Sequence, residues 1–85
     1  MKKASDHTYT LTLTVRNRPG VLVRCAQVYG RRGHNIEALQ VTALPENEGI
    51  ATMTITAFGE HDAVRQIIAQ LIKLIEVINV TESEA

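Results

Sequence analysis

Residues 8–15 alternate without a break: Tyr9, Leu11, Leu13 and Val15 fall on one side, Thr8, Thr10, Thr12 and Thr14 on the other. A period of two marks a half-buried strand. The alternation stops at Arg16, and over residues 21–32 the apolar positions Val21, Leu22, Cys25, Val28 and Tyr29 follow helical spacing. Pro19 suits the first turn of that helix, where its missing N–H is not needed. Gly33 suits the stop, after Arg31 and Arg32, whose charge favours a helix C-terminus.

Residues 34–44 read as a second strand, with Ile36, Leu39 and Val41 among its apolar members. Its alternation is poorer, as expected of an edge or interface strand. Residues 45–49, Pro-Glu-Asn-Glu-Gly, read as a loop. Ala51, Met53, Ile55 and Ala57 then alternate with Thr52, Thr54 and Thr56 in a third strand. A second helix is predicted over residues 59–75, with Val64, Ile67, Ile68, Leu71, Leu74 and Ile75 on one face. Residues 77–81 form a short last strand.

The predicted order is β-α-β-β-α-β. An α+β, ferredoxin-like closure follows, with four antiparallel strands in the order 4-1-3-2 and both helices on one face. The helices would cover Leu11, Leu13, Met53 and Ile55. The threonines would line the opposite face, either wet or against another sheet.

The chain has 85 residues, enough for one domain with a thin core, which association would help to stabilise. The expected domain runs over residues 8–82, with flexible ends at 1–7 and 83–85. Formal net charge is +0, so no electrostatic footprint for nucleic acid or an anionic membrane stands out. The single Cys25 excludes an internal disulfide and fits a reducing, cytoplasmic location. The first seven residues are partly basic with no apolar run behind them, so no signal peptide is expected. No apolar stretch is long enough to span a bilayer.

Candidate chemistry sits where the first strand hands over to the first helix, at Asn17-Arg18-Pro19-Gly20-Val21-Leu22. A loop that feeds a helix N-terminus exposes backbone N–H groups, here those of Gly20, Val21 and Leu22. Together with the helix dipole they favour an anion. Gly20 lacks a Cβ and lets a ligand approach its backbone. Asn17 offers a donor and an acceptor from one short amide. A carboxylate on the N–H groups and an ammonium on the Asn17 carbonyl would grip a free amino acid. The plainer alternative is that Asn17 caps the helix, Pro19 starts it and Gly20 only turns.

A second asparagine, Asn35, opens the second strand. In the predicted fold it lies at the opposite end of the domain, separated from Asn17 by a helix roughly 18 Å long. The two cannot share a site within one chain. In a two-fold dimer pairing the second strand with its copy, Asn35 of one protomer faces Asn17 and Gly20 of the other. Such a dimer also covers an exposed sheet edge.

Two segments carry a family resemblance. Asn17-Arg18-Pro19-Gly20-Val21-Leu22 and Tyr29-Gly30-Arg31-Arg32-Gly33-His34-Asn35-Ile36-Glu37 resemble the ACT domain of the regulatory (small) subunit of acetohydroxyacid synthase, also called acetolactate synthase. The N-x-P-G-V-L start is shared by many ACT domains; R-R-G-x-N-I-E is more particular to this subunit. The resemblance extends over about residues 9–80. It implies a homodimer through the ACT domains, with valine or a related branched-chain amino acid bound at the interface for feedback control. It also implies a separate catalytic subunit carrying thiamine diphosphate, magnesium and FAD, with no cofactor in this chain. By position, Asn17 and Gly20 would hold the effector from one protomer and Asn35 from the other, with Val21, Leu22 and Ile36 near its side chain. Many such subunits have a second, C-terminal domain. This chain ends just after the fourth strand and resembles the shorter form, or a truncated piece of the longer one.

No catalytic or metal-binding set is expected. His7, His34 and His61 have no ligand spacing with Cys25 or each other. They read as solvated or partly packed, and Cys25 as a small core residue. Arg16 and Asn17 supply residue types found in an acylphosphatase-like hydrolase, but the glycine-rich phosphate loop is missing. An RNA-binding reading lacks aromatics on the threonine face. A free-standing ACT sensor, or an ACT module serving another enzyme, stays open. Arg16 or Arg18 could dock on a catalytic subunit, and Ile72 could widen a contact face.

Overall fold

The strict alternation of the first and third strands is the frame on which the domain is built. The computed structural model describes residues 6–83. It contains β1 (Asp6–Arg16), α1 (Val21–Arg31), β2 (Asn35–Leu44), β3 (Asn47–Glu60), a 3-10 turn (His61–Ala63), α2 (Val64–Ile72) and β4 (Val77–Ser83). β1 and β3 pair antiparallel with Thr10 opposite Thr56, Leu11 opposite Ile55, Thr12 opposite Thr54 and Leu13 opposite Met53. Like therefore meets like across the ladder, and both apolar sets fall on one face.

The four strands form one antiparallel sheet in the order β2-β3-β1-β4, the order expected. Leu11, Leu13, Met53 and Ile55 are buried with Val21, Cys25, Val28 and Tyr29 of α1 and with Val64, Ile67 and Leu71 of α2. The threonines of the other face are partly exposed, and Thr10 and Thr56 bond to each other across it at 3.1 Å. β2 is an edge strand and mostly exposed, including Leu39 and Val41.

Several boundaries differ from expectation. The loop expected at 45–49 is a two-residue turn, because Leu44 already pairs with Asn47. The Asn47 side chain accepts the Gly49 N–H at 3.0 Å and holds the strand start that the polar composition disguised. The helix expected from 59 begins at Val64, because Gly59 and Glu60 belong to β3. Gly59 lies under the His34 ring; a Cβ there would come within 2.4 Å of it. That helix also stops at Ile72, and Ile75, expected on its apolar face, is 80% exposed in the turn beyond. The ends expected to be flexible lie mostly outside the described residues. Asp6 and His7 extend β1, and Ser83 ends β4.

Candidate functional site

Between β1 and α1 the chain makes one sharp turn. The Val21 N–H donates to the Arg18 carbonyl at 3.3 Å, and Gly20 has φ 86° and ψ −12°. With Pro19 at the second position and a left-handed glycine at the third, this is a type II turn. Pro19 thus sets up the turn before α1, not the helix's first turn as expected. Gly20 is the N-cap of α1, no side chain caps it, and the first turn contains no acidic residue. No acidic residue of α1 itself therefore offsets the positive end of the helix. The Val21 amide, expected to be available, is taken by Arg18. The other amides of the first turn have no acceptor within the helix. A Cβ added at Gly20 would meet nothing within 4 Å, so open space lies over its backbone.

Asn17 is not a helix cap. Its backbone N–H donates to the Gly49 carbonyl at 2.8 Å, and its Nδ2 donates to the Glu48 carbonyl at 3.0 Å. Two carbonyls at the start of β3 thus fix the amide. Nδ2 is engaged, and Oδ1 is left as an acceptor beside the turn.

Asn35 lies at the other end of the sheet. It pairs with Phe58, whereas Arg16, just before Asn17, pairs with Ile50. Eight residues of strand, about 27 Å, separate these positions along β3. The turn brings Asn17, Gly20, Val21 and Leu22 together, with Val21 buried and Leu22 40% exposed. Asn35, exposed, and Ile36, half-buried against the core, stand apart from them in the same protomer.

Two further contacts shape the two ends, and sequence reasoning singled out neither. Tyr9 Oη and His34 Nδ1 share a buried hydrogen bond of 2.7 Å, which seats His34 next to Asn35. Burial pushes the Tyr9 hydroxyl well above the ordinary phenol range, with the Glu82 carboxylate adding to it, so it stays protonated. At the turn, Glu76 is buried and forms an ion pair with Arg24. Its carbonyl accepts the Arg16 N–H at 2.7 Å. The bond from Arg24 holds the Glu76 carboxyl below the usual range against the opposing effect of burial. Burial, with help from Glu76, pushes the Cys25 thiol up to about 11, so Cys25 is a packed thiol and not a nucleophile at neutral pH. Among the described residues, no group of three or more His, Cys, Asp or Glu could hold a metal ion, and no helix is long and apolar enough to cross a membrane.

The family model for the AHAS small subunit-like ACT domain matches residues 11–79. The chain belongs to that family. A probable acetolactate synthase small subunit of Archaeoglobus fulgidus is 46% identical over 74 residues, covering 87% of this chain and 46% of the relative. The acetolactate synthase small subunit of Mycobacterium avium is 45% identical over 80 residues, covering 94% and 47%. The crystal structure of the acetolactate synthase small subunit from Thermotoga maritima superposes with a TM-score of 0.77 at 33% identity, over 89% of this chain and 47% of that one. This ACT domain therefore spans about half the length of the curated relatives it matches. The ACT domain from the GTP pyrophosphokinase of Chlorobium tepidum has the same fold, with a TM-score of 0.75 at 19% identity over 92% of this chain and 99% of that one.

Proposed function

We propose that this ACT domain is the effector-binding part of a regulatory subunit of acetolactate synthase, itself without catalytic activity. It binds a branched-chain amino acid, valine first among them, between two protomers. The observation that carries this reading is the open, uncapped turn at Gly20, with the Asn17 carbonyl oxygen held beside it. The amino acid's carboxylate lies against the first-turn amides, and its ammonium against Asn17 Oδ1. Val21, Leu22 and the partner's Ile36 bound its side chain.

Asn35 completes the site from the second protomer. Edge strand β2 pairs with its two-fold copy and brings the far end of one chain to the turn of the other. Leu39 and Val41 support this pairing. They fall on the helix side of the sheet, opposite Ile55 and Met53, yet are 40% and 46% exposed, because no helix of their own chain covers them. Leu22 and Val23, 40% and 59% exposed at the start of α1, add to the apolar surface that such a dimer would cover.

Binding stabilises one arrangement of the dimer, and a catalytic subunit carrying thiamine diphosphate, magnesium and FAD responds to it. Feedback inhibition of branched-chain amino acid synthesis, in the cytoplasm, is the outcome. Calorimetric titration with valine, leucine and isoleucine, alongside sedimentation, tests the reading. A dimer that binds at least one of them supports it, and binding falls when Asn35 becomes Ala. A monomer, or a dimer that takes up none of the three, contradicts it.

A further inference from the structure

The end of the domain that carries the Gly20 turn also exposes an apolar surface that the fold does not use. Ile72 ends α2 and is 57% exposed, Ile75 in the following turn is 80% exposed, and Ile78 at the start of β4 is 51% exposed. The turn that groups them is closed by the Val77 N–H on the Leu74 carbonyl at 3.0 Å. Val77 pairs with Val15 and Asn79 with Thr14, so Ile78 is the extra residue of a β-bulge. A bulge on an edge strand re-aims a side chain and ends pairing there.

The rim of this surface has one sign. Arg16, Arg18 and Lys73 are exposed and make no ion pair among the described residues, although Arg18 is near enough to Glu76 to help favour its ionised form. The acid of the same turn, Glu76, is buried and engaged with Arg24. Glu48, whose carbonyl accepts from Asn17, is in β3, and Glu46 is in the turn between β2 and β3, both on the side of β1 away from β4.

The surface is also tied to the turn at Gly20. The Gly20 carbonyl accepts the Arg24 N–H at 3.1 Å, the Arg24 guanidinium pairs with the Glu76 carboxylate, and the Glu76 carbonyl accepts the Arg16 N–H at 2.7 Å. Ile75 is the residue before Glu76. The Arg24 and Glu76 side chains thus connect the Gly20 turn to the segment that carries the isoleucines.

We propose that the Ile72–Ile75–Ile78 surface is where this domain docks on the enzyme subunit it regulates, and that its occupant there is an apolar segment flanked by Asp or Glu side chains. The proposal rests on the regulatory reading above. Charge decides the occupant. A two-fold contact with a second copy would set the Arg16, Arg18 and Lys73 rim against itself, whereas an acid-flanked segment neutralises it. In the dimer proposed above the copy pairs with β2, which is the opposite edge of the sheet from β4.

The test uses the full chain and the purified catalytic subunit of acetolactate synthase from the same organism, with binding read by interferometry and valine binding by calorimetry. Ile75→Asp should weaken the complex at least about tenfold, as expected of a central apolar anchor, while valine affinity and dimer mass stay unchanged. Lys73→Glu should weaken it several-fold and flatten its salt dependence. Equal affinity of the wild type and Ile75→Asp overturns the docking surface and leaves the regulatory reading standing. A wild-type chain that binds valine but not the catalytic subunit overturns both. A lower oligomer mass for Ile75→Asp makes the occupant a copy of this chain. Binding to phosphatidylglycerol vesicles that Ile75→Asp abolishes makes it a membrane. Either result contradicts the proposal.

Discussion

The side-chain amide of Asn17 donates to the carbonyl oxygen of Glu48, at 3.0 Å, across the gap between the end of β1 and the start of β3. This contact turns a residue that looks like a helix cap into a fixed acceptor beside an open turn. Asn17→Ala removes an exposed hydrogen bond worth roughly 0.5–1.5 kcal/mol to stability. It also removes the acceptor proposed for the effector's ammonium. We expect a small drop in melting temperature but a loss of valine affinity of about tenfold or more, equivalent to about 1.4 kcal/mol. Melting curves and calorimetry on the same sample separate the two effects.

Gly20 makes a sharper distinction between strain and recognition. At φ 86° any L side chain is strained, yet a Cβ there would meet no atom within 4 Å. Gly20→Ala should therefore cost about 1–2 kcal/mol in urea unfolding, from backbone strain alone. Gly20→Asp should cost a similar amount, and should abolish valine binding because its carboxylate occupies and repels the ligand's anion position. Unchanged affinity in Gly20→Asp would contradict the proposed carboxylate site.

At the far end, the bond between Tyr9 and His34 and the bare backbone of Gly59 beneath that ring fix the entry to β2. Tyr9→Phe leaves His34 Nδ1 without this partner, at a cost of roughly 1–3 kcal/mol. Gly59→Ala forces the ring to move, an overpacking cost of about 1–3 kcal/mol. Both should lower the urea midpoint. A midpoint equal to wild type in Gly59→Ala would contradict the packing of His34.

Glu76 sets an acid limit on the domain. Its folded-state carboxyl titrates below the ordinary value because of Arg24, so the unfolded chain binds the proton more readily. The stabilisation is fully present above the unfolded value of about 4.3 and is lost as pH falls through the lower folded value. Melting temperature should fall across that acid window in the wild type. In Glu76→Gln the fall should be shallower. Parallel curves for the two proteins would contradict this role.

β1, β3 and their side of the core were legible because residues 8–15 and 51–57 alternate strictly, and only a half-buried strand explains such a run. Asn17 and Gly20 were legible as a pair because the turn that joins them is local in sequence. The start of α2 was not, because Gly59 reads as punctuation until the His34 ring above it is seen. The hairpin after β2 was hidden by composition: Glu46-Asn47-Glu48-Gly49 looks like a loop, but Asn47 already pairs with Leu44. Glu76 could not be found at all, since its partner Arg24 lies 52 residues away and neither residue belongs to a motif. A shorter separation, 25 residues, hid the contact of Tyr9 with His34 in the same way.

The central claim is that two protomers build one effector site, and mixing two defective proteins tests it most directly. Gly20→Asp spoils the turn, and Asn35→Ala spoils the contribution from across the dimer. Each homodimer should bind valine poorly or not at all. After co-refolding the two, a mixed dimer pairs the intact turn of one protomer with the intact Asn35 of the other. Calorimetry should then recover one site of wild-type affinity per mixed dimer. A mixed dimer, verified by mass, that binds no better than the separate variants would contradict a site shared between protomers.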